Sequence, residues 1–236
     1  MKVAIPILVY HRVGGTERNT AEIVDRLAKN HDVHIFTTNW NNKDLPRNVK
    51  IHKVPAFGPS FIKDMTFAFF STILIKRSEY DIIFNNGCGA TFEQDIITAE
   101  SSHFAWAEET KKERNTILIN PAHYWAFFIE RINYGLHRYS KIIAISHFIK
   151  RLLIKYYAIP ENKIEVIHHG VNLDEFNIKN KQRFRKKIRK QLGIKDNEFV
   201  LLFVGKEYER KGLVYVIDAI KKLQIDDIKL IVVGKD

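Results

Sequence analysis

Short, apolar, β-branched runs recur along the chain at Val3–Val9, Val33–Thr38, Val49–Val54, Ile82–Phe84, Ile96–Thr98, Ile142–Ile145, Ile164–Ile167, Phe199–Val204 and Ile228–Val233. Each has the length of a strand. Between many of them lie longer stretches with apolar positions at helical spacing: Glu17–Asn30, Ile62–Arg77, Tyr124–Arg138, His147–Tyr157 and Leu213–Leu223. Strands that are apolar almost throughout, separated by helices, predict a parallel sheet covered on both faces. The expected class is α/β, doubly wound. A further helix is expected in KNKQRFRKKIRK, Lys179–Lys190, where Phe184, Ile188 and Leu192 form one stripe, cations surround it and Gly193 ends it.

Composition narrows the possibilities. A chain of 236 residues with 45% hydrophobic content is long enough for one or two packed domains. The single cysteine, Cys88, excludes an internal disulfide, and no Cys/His cluster has zinc spacing, which fits a reducing cytosol. MKVAIPILVYHRV reads as a first strand rather than a signal peptide, because Pro6 interrupts it and no small-residue cleavage site follows. The most apolar internal run, Phe67–Ile75, is far shorter than the ~20 residues of a spanning helix. A net charge of +11 draws the surface toward phosphate, in a nucleotide, a lipid or a nucleic acid. No helix-turn-helix, zinc-finger or RNP-like pattern accompanies it, so the basic helix is read as a solvated amphipathic one and nucleic acid is not an expected partner.

In open parallel sheets ligands sit beyond the carboxyl ends of the strands, which directs attention to the residues after the first, fourth, fifth and eighth runs. HRVGGTERN follows the first. Gly14 and Gly15 permit close backbone approach, and Thr16 or Glu17 can open a helix whose free amides favour an anion. The stretch is neither GxGxxG nor a P-loop, and a plain strand-to-helix turn accounts for it equally well. VGKEYERKGL repeats the arrangement late in the chain. Gly205 ends a strand, Arg210 and Lys211 precede Gly212, and a helix begins at Leu213, so a diphosphate there would meet two cations and free amides together. A solvated basic pair is the plain alternative.

KIEVIHHGVNLDEF (Lys163–Phe176), the following LGI, VLLFVGKEYERKGL and IVVGKD together resemble the retaining glycosyltransferases of family 4, which have the two-domain GT-B fold. The glycine pair, FTTNW and GKEYERKG are most similar to that family's lipopolysaccharide-core glucosyltransferases. The resemblance implies an acceptor-side Rossmann-like domain over 1–168, then a linker and the start of a nucleotide-sugar-binding domain over 169–236. It implies a nucleotide-diphospho-sugar donor, UDP-linked by expectation, used without a cofactor or a metal. Gly15 would lie near the donor at an interdomain cleft with Gly14, while Gly205 and Gly212 would flank the diphosphate. Arg210 and Lys211 would neutralise the diphosphate as it leaves, and the acceptor hydroxyl would attack from the face it vacates, giving retention. Glu100 and His103, in AESSHFAWAEE, are placed at the cleft by the same resemblance, with His103 donating to a sugar hydroxyl. Simple capping of the next helix by His103 is the alternative. Glu100 and Glu108 share the eight-residue offset of the family's paired glutamates but fall in the wrong domain, and that match is rejected.

Several positions depart from the family pattern. His168 and His169 replace Pro-Asn, Asn172 replaces Asp, and Asn19 stands where an acid is expected. Neighbouring strand residues face opposite sides, so a linker variant is favoured over a shared metal ion. The second domain counts two strands and two helices, against the ~100–150 residues usual for such a half, and residues 1–236 by themselves are expected to be a poor transferase with exposed apolar surface around Leu230–Val233. Lys111–Lys141 interleaves six aromatic residues with basic ones. This suits either a core helix with a basic edge or contact with anionic lipid, and the resemblance favours the membrane, at the inner face of the plasma membrane, where a lipopolysaccharide, lipid-linked or other surface-glycan acceptor would reside. The rivals are a catalytically deficient glycan- or membrane-binding fragment of GT-B origin and, on charge alone, a nucleic-acid binder.

Overall fold

The computed structural model describes residues 1–109, 120–224 and 227–234. The expected membrane segment therefore lies outside the described residues over 111–119, as do the last two residues of VGKD. The chain forms two compact units, Met1–Gly170 and Val171–Asp236, dividing two residues beyond the expected 168/169 boundary.

The first unit is built on seven parallel strands: β1 (Lys2–Pro6), β3 (Asp32–Thr37), β5 (Lys50–Lys53), β6 (Ile82–Asn86), β7 (Ile96–Ala99), β8 (Lys141–Ala144) and β9 (Ile164–Val166). Their order in the sheet is β5-β3-β1-β6-β7-β8-β9. The register aligns Val3 with Val33 on one side of β1 and with Ile82 on the other. Among the described residues five helices cover the sheet: α1 (Gly15–Leu27), α2 (Ser60–Leu74), α3 (His103–Glu109), α4 (Pro121–Gly135) and α5 (His147–Tyr157). Apolar strands need cover on both faces, and alternate residues of β1 supply it: Ile5 packs with Val24 and Ile35, whereas Ala4 packs with Phe36, Phe67 and Ile83. A third cluster under α4 and α5 joins Ile97, Ile142, Tyr134 and Leu153.

The run Val3–Val9 is not one strand. The Ile7 amide still bonds the Phe36 carbonyl at 2.9 Å, and the Leu8 carbonyl then takes the Thr38 amide at 3.0 Å together with the hydroxyls of Thr37 and Thr38 at 3.1 and 2.6 Å. The chain leaves the main sheet there, and β2 (Val9–Tyr10) pairs with β4 (Asn39–Trp40) in a separate two-stranded ribbon. FTTNW is divided at the same point. α1, α2 and α4 each begin two or more residues before their apolar periodicity does; in α4 the first turn is held by Asn120, which accepts from the Ala122 amide, and by Pro121, neither of which carries an apolar signal.

The second unit pairs β10 (Phe199–Val204) with β11 (Ile228–Val233) in parallel, Phe199 opposite Ile228, with α6 (Lys181–Gln191) and α7 (Leu213–Leu223). The cations of α6 are not all solvated. Arg189 is the one buried residue among those described in this unit, and its guanidinium donates to the carbonyls of Lys195, Asp196 and Glu198, pinning the loop after the helix. Gly193, at φ +64°, ends α6 with the Ile194 amide on the Arg189 carbonyl. Leu202 and Val204 are each 64% exposed, and Val232 and Val233 are also exposed.

Candidate functional site

β1 leads outward to β3 and β5, whereas the later strands extend from its other edge through β6, so the topological switch falls between β1 and β6. A cavity of about 340 Å³ opens beyond their carboxyl ends, lined by Leu8, Thr16, Phe67, Asn86, Gly87 and Trp125 among others. Gly14, at φ +102°, makes the turn into α1 in a conformation few side chains adopt, and a Cβ there would meet the Glu17 carboxylate. Gly15 is the first residue of α1, and a Cβ on it would meet no atom of the chain.

A chain of polar side chains runs behind this cavity and reaches its lining at Thr16 and Asn86. Glu100, just beyond β7, accepts from the Thr16 hydroxyl at 2.9 Å and lies 3.4 Å from His169 Nε2. His169 Nδ1 is 3.1 Å from Asn19 Nδ2, and Asn19 Oδ1 accepts from Asn86 at 3.0 Å. The buried Asn86 also donates to Thr20 Oγ1 at 2.8 Å. His168 turns instead to the Ile145 carbonyl at 2.8 Å. Both histidines lie beyond the end of β9 and diverge to separate partners. The linker reading of this pair is thus incomplete, since each ring ties the segment after β9 back to the sheet. Glu108 sits on α3 against Lys155 and Tyr156, far from the roles of Glu100.

His103 and Glu100 do not meet. Ser102, not His103, caps α3: its hydroxyl accepts from the Ala105 amide at 3.3 Å. His103 opens the helix, stacked on Trp106 and His123 with ring centroids 4.9 and 5.0 Å apart, and its Nε2 is 3.0 Å from His123 Nδ1. Burial, then the neighbouring His123, lowers its pKa and favours a neutral ring. Its backbone amide donates to the buried Glu130 carboxyl at 2.8 and 2.9 Å, and the Tyr157 hydroxyl donates to the same group. Burial pushes the pKa of Glu130 up against those bonds.

In the second unit Gly212, at φ +79°, caps α7, and a Cβ on Gly205 would strike the side chain of Lys211, which folds back over the end of β10. Arg210 donates from Nε to Glu207 at 2.7 Å and is 61% exposed at its side chain, while Glu207 itself adopts φ +56°. The loop is thus set by a local ion pair, with Lys211 beside the strand end and Arg210 outside it.

Sequence reasoning singled out the end of the fourth apolar run without naming its residues. Asn86 and Gly87, in FNNGCG, carry that position. Glu130 and His123 had no signal of their own, since a lone carboxylate inside a helical pattern reads as surface.

A parallel sheet with a ligand-sized cavity at its switch point, followed by a second βα unit bearing a glycine–cation loop, defines the class. Comparison with solved structures agrees. A crystal structure of WaaG, a glycosyltransferase involved in lipopolysaccharide biosynthesis, superposes with a TM-score of 0.80 at 21% identity, covering 99% of this chain and 64% of that one. Anabaena HepE in complex with UDP-glucose gives 0.66 at 15% identity, covering 100% of this chain and 61% of that one. The fold is GT-B. The chain belongs to Glycosyltransferase Family 4, whose pattern matches residues 13–175, and the pattern of Glycosyl transferases group 1 matches residues 184–236. Among curated relatives, an uncharacterized glycosyltransferase of Methanocaldococcus jannaschii is 24% identical over 99% of this chain and 63% of its own length. Lipopolysaccharide glucosyltransferase WaaG of Escherichia coli is 24% identical over 100% and 63%. Alpha-monoglucosyldiacylglycerol synthase of Streptococcus pneumoniae is 28% identical over 95% and 53%. The chain thus spans less than two thirds of the length of these relatives.

Proposed function

We propose that this chain carries the acceptor-binding unit and the first donor-binding elements of a retaining glycosyltransferase, which moves a sugar from a nucleotide-diphospho-sugar to a membrane-borne glycan or glycolipid. The observation that carries the reading is the family match across both units, with the cavity at the switch point inside the first match. In the second unit Gly205, Gly212 and the amides opening α7 offer the diphosphate a close, positively polarised backbone. Lys211 and Arg210 supply charge that counts most as the sugar–phosphate bond breaks. Anabaena HepE has been crystallised with UDP-glucose, which supports a UDP-sugar as donor. Gly15 leaves room for a ligand near the start of α1, and Glu100 and His103 stay candidates on the acceptor side.

The membrane part of the reading rests on two helices. α2 packs against α4, and together they expose Met65, Phe69, Ile73, Tyr124 and Phe128, with Lys63, Lys76, Arg77 and Arg131 on the same two helices or just beyond their ends. Apolar side chains between cations suit the headgroup region of an anionic bilayer, as expected for a peripheral enzyme at the inner face of the plasma membrane. Among the described residues no helix is long and apolar enough to cross a membrane. Two relatives bear names that specify a lipopolysaccharide and a glucosyldiacylglycerol, which supports a lipid-borne acceptor.

Saturation-transfer NMR with UDP-glucose, UDP-N-acetylglucosamine and GDP-mannose tests the donor assignment. Saturation of the uridine and sugar protons of a UDP-sugar is the expected result. Absence of transfer to every nucleotide sugar removes the reading.

A further inference from the structure

Asn86 is 4% exposed, lines the cavity at the switch point, and has no partner for its Oδ1 among the described residues. Its amide orientation is not arbitrary. Nδ2 donates to Asn19 Oδ1 at 3.0 Å and to Thr20 Oγ1 at 2.8 Å, while the Thr20 hydroxyl hydrogen goes to the Thr16 carbonyl at 2.8 Å. With the Thr20 hydrogen on the Thr16 carbonyl, reversal of the Asn86 amide would set its oxygen against the Thr20 oxygen, an acceptor at that point. Asn19 is fixed in turn, because with Oδ1 accepting from Asn86, its Nδ2 must donate to His169 Nδ1. That bond requires a bare Nδ1 and hence a hydrogen on Nε2, which faces the Glu100 carboxylate at 3.4 Å. Glu100 is anchored by the Thr16 hydroxyl at 2.9 Å. A single consistent direction of donors runs from Asn86 through Asn19 and from His169 to Glu100, and it leaves one buried acceptor over at the cavity. Asn85 Oδ1 is also unpaired, but Asn85 is not among the cavity's lining residues.

Buried acceptors without partners are rare and costly, so the surplus one marks a place where a donor from outside the chain belongs. We infer that Asn86 reads a hydroxyl of the sugar bound in this cavity, its side-chain carbonyl accepting that hydrogen, and that Glu100, His169 and Asn19 are positioning residues that hold the carbonyl in place. This inference rests on the cavity being the acceptor-sugar site of the proposed function. Its chemistry is selective: a group that only accepts hydrogen bonds would face the oxygen of Asn86 and be rejected, whereas a hydroxyl completes it. The acid expected at position 19 could not serve as Asn19 does, since an ionised carboxylate has no hydrogen to give His169.

The test uses the full chain labelled with ¹⁵N. Methyl α-D-glucopyranoside and its singly deoxyfluorinated analogues, in which fluorine replaces one hydroxyl at a time, are titrated while the side-chain amide signals are followed. The expected result is binding of the parent sugar, binding about tenfold weaker for one fluorinated position, the loss of one neutral hydrogen bond, and the same weakening of the parent sugar in Asn86→Leu. Equal affinity of all analogues, or of Asn86→Leu, overturns the role of Asn86 while leaving the cavity a sugar site. Absence of binding by the unaltered chain overturns the sugar-site reading and the ligand class of Asn86 with it. Glu100→Gln, nearly isosteric, tests the positioning chain independently of ligand. His169 ring nitrogen shifts should move away from the single Nε2–H form, and the Asn86 side-chain amide, which does not touch Glu100, should shift too. An unmoved Asn86 signal in Glu100→Gln overturns the positioning chain.

Discussion

Replacement of Glu130 by Ala gives the sharpest stability test, because the residue anchors α3 from below without facing the cavity's ligand. Glu130 is 5% exposed, and its carboxyl accepts from the His103 amide and the Tyr157 hydroxyl, itself buried. Ala leaves both donors buried and unpaired. At ~1–3 kcal/mol for each orphaned group, the loss should be about 3–4 kcal/mol. For a chain of this size that lowers Tm by about 8–12 °C. Glu130→Gln keeps one carbonyl oxygen and should lose about 1 kcal/mol. Burial raises the folded pKa of Glu130 above its ordinary value of 4.5, so its contribution is fully present below about 4.5 and is lost as pH rises through the folded value. The gap between the unaltered chain and Glu130→Gln should therefore narrow as pH rises. Urea unfolding of the three proteins at several pH values measures it. An Ala variant within about 1 kcal/mol of the unaltered chain, or a gap that widens with pH, would refute the anchoring role.

The His34–His52 pair makes a prediction of opposite sign. Their nitrogens lie 2.8 Å apart, with the Tyr80 hydroxyl 3.0 Å from His34 Nδ1 and Asp32, Lys2 and Lys50 around them. Burial lowers both pKa values from the ordinary 6.5, so the stability they lend is fully present above about 6.5 and is lost as pH falls toward the lowered folded values. Tm should fall between pH 7 and 5.5, and His34→Asn should flatten that slope; a parallel slope in the variant contradicts the assignment. On the membrane side, co-sedimentation with vesicles containing anionic lipid should drop several-fold in Phe69→Ser/Ile73→Ser and fall with added salt. Unchanged binding of the variant would remove α2 from the contact, and equal binding of the unaltered chain to neutral vesicles would remove the role of charge.

The architecture was legible because its strands are apolar throughout and its helices keep their spacing, a signal that survives without any knowledge of packing. His147–Tyr157 and Leu213–Leu223 were bounded correctly for that reason. The split of Val3–Val9 was not legible, since it depends on Thr37 and Thr38, one strand away, gathering an amide and two hydroxyls on the Leu8 carbonyl. The cavity followed from topology, but the residues that finish it did not. Asn19, Asn86, Glu100 and His169 are separated by up to 150 positions and acquire their roles only when four strand ends converge. Arg189 illustrates the same limit: inside a run of cations nothing distinguishes the one that turns inward to hold carbonyls.

The central claim is that the loop bearing Gly205, Arg210, Lys211 and Gly212 receives the diphosphate of a nucleotide sugar. Isothermal titration of UDP and UDP-glucose into the chain, and into Arg210→Ala/Lys211→Ala, tests it most directly. Removal of two charge-assisted contacts should weaken both ligands by tenfold or more, with uridine, which lacks the phosphates, unaffected by the change. Affinities for UDP that are the same in both proteins would contradict the claim.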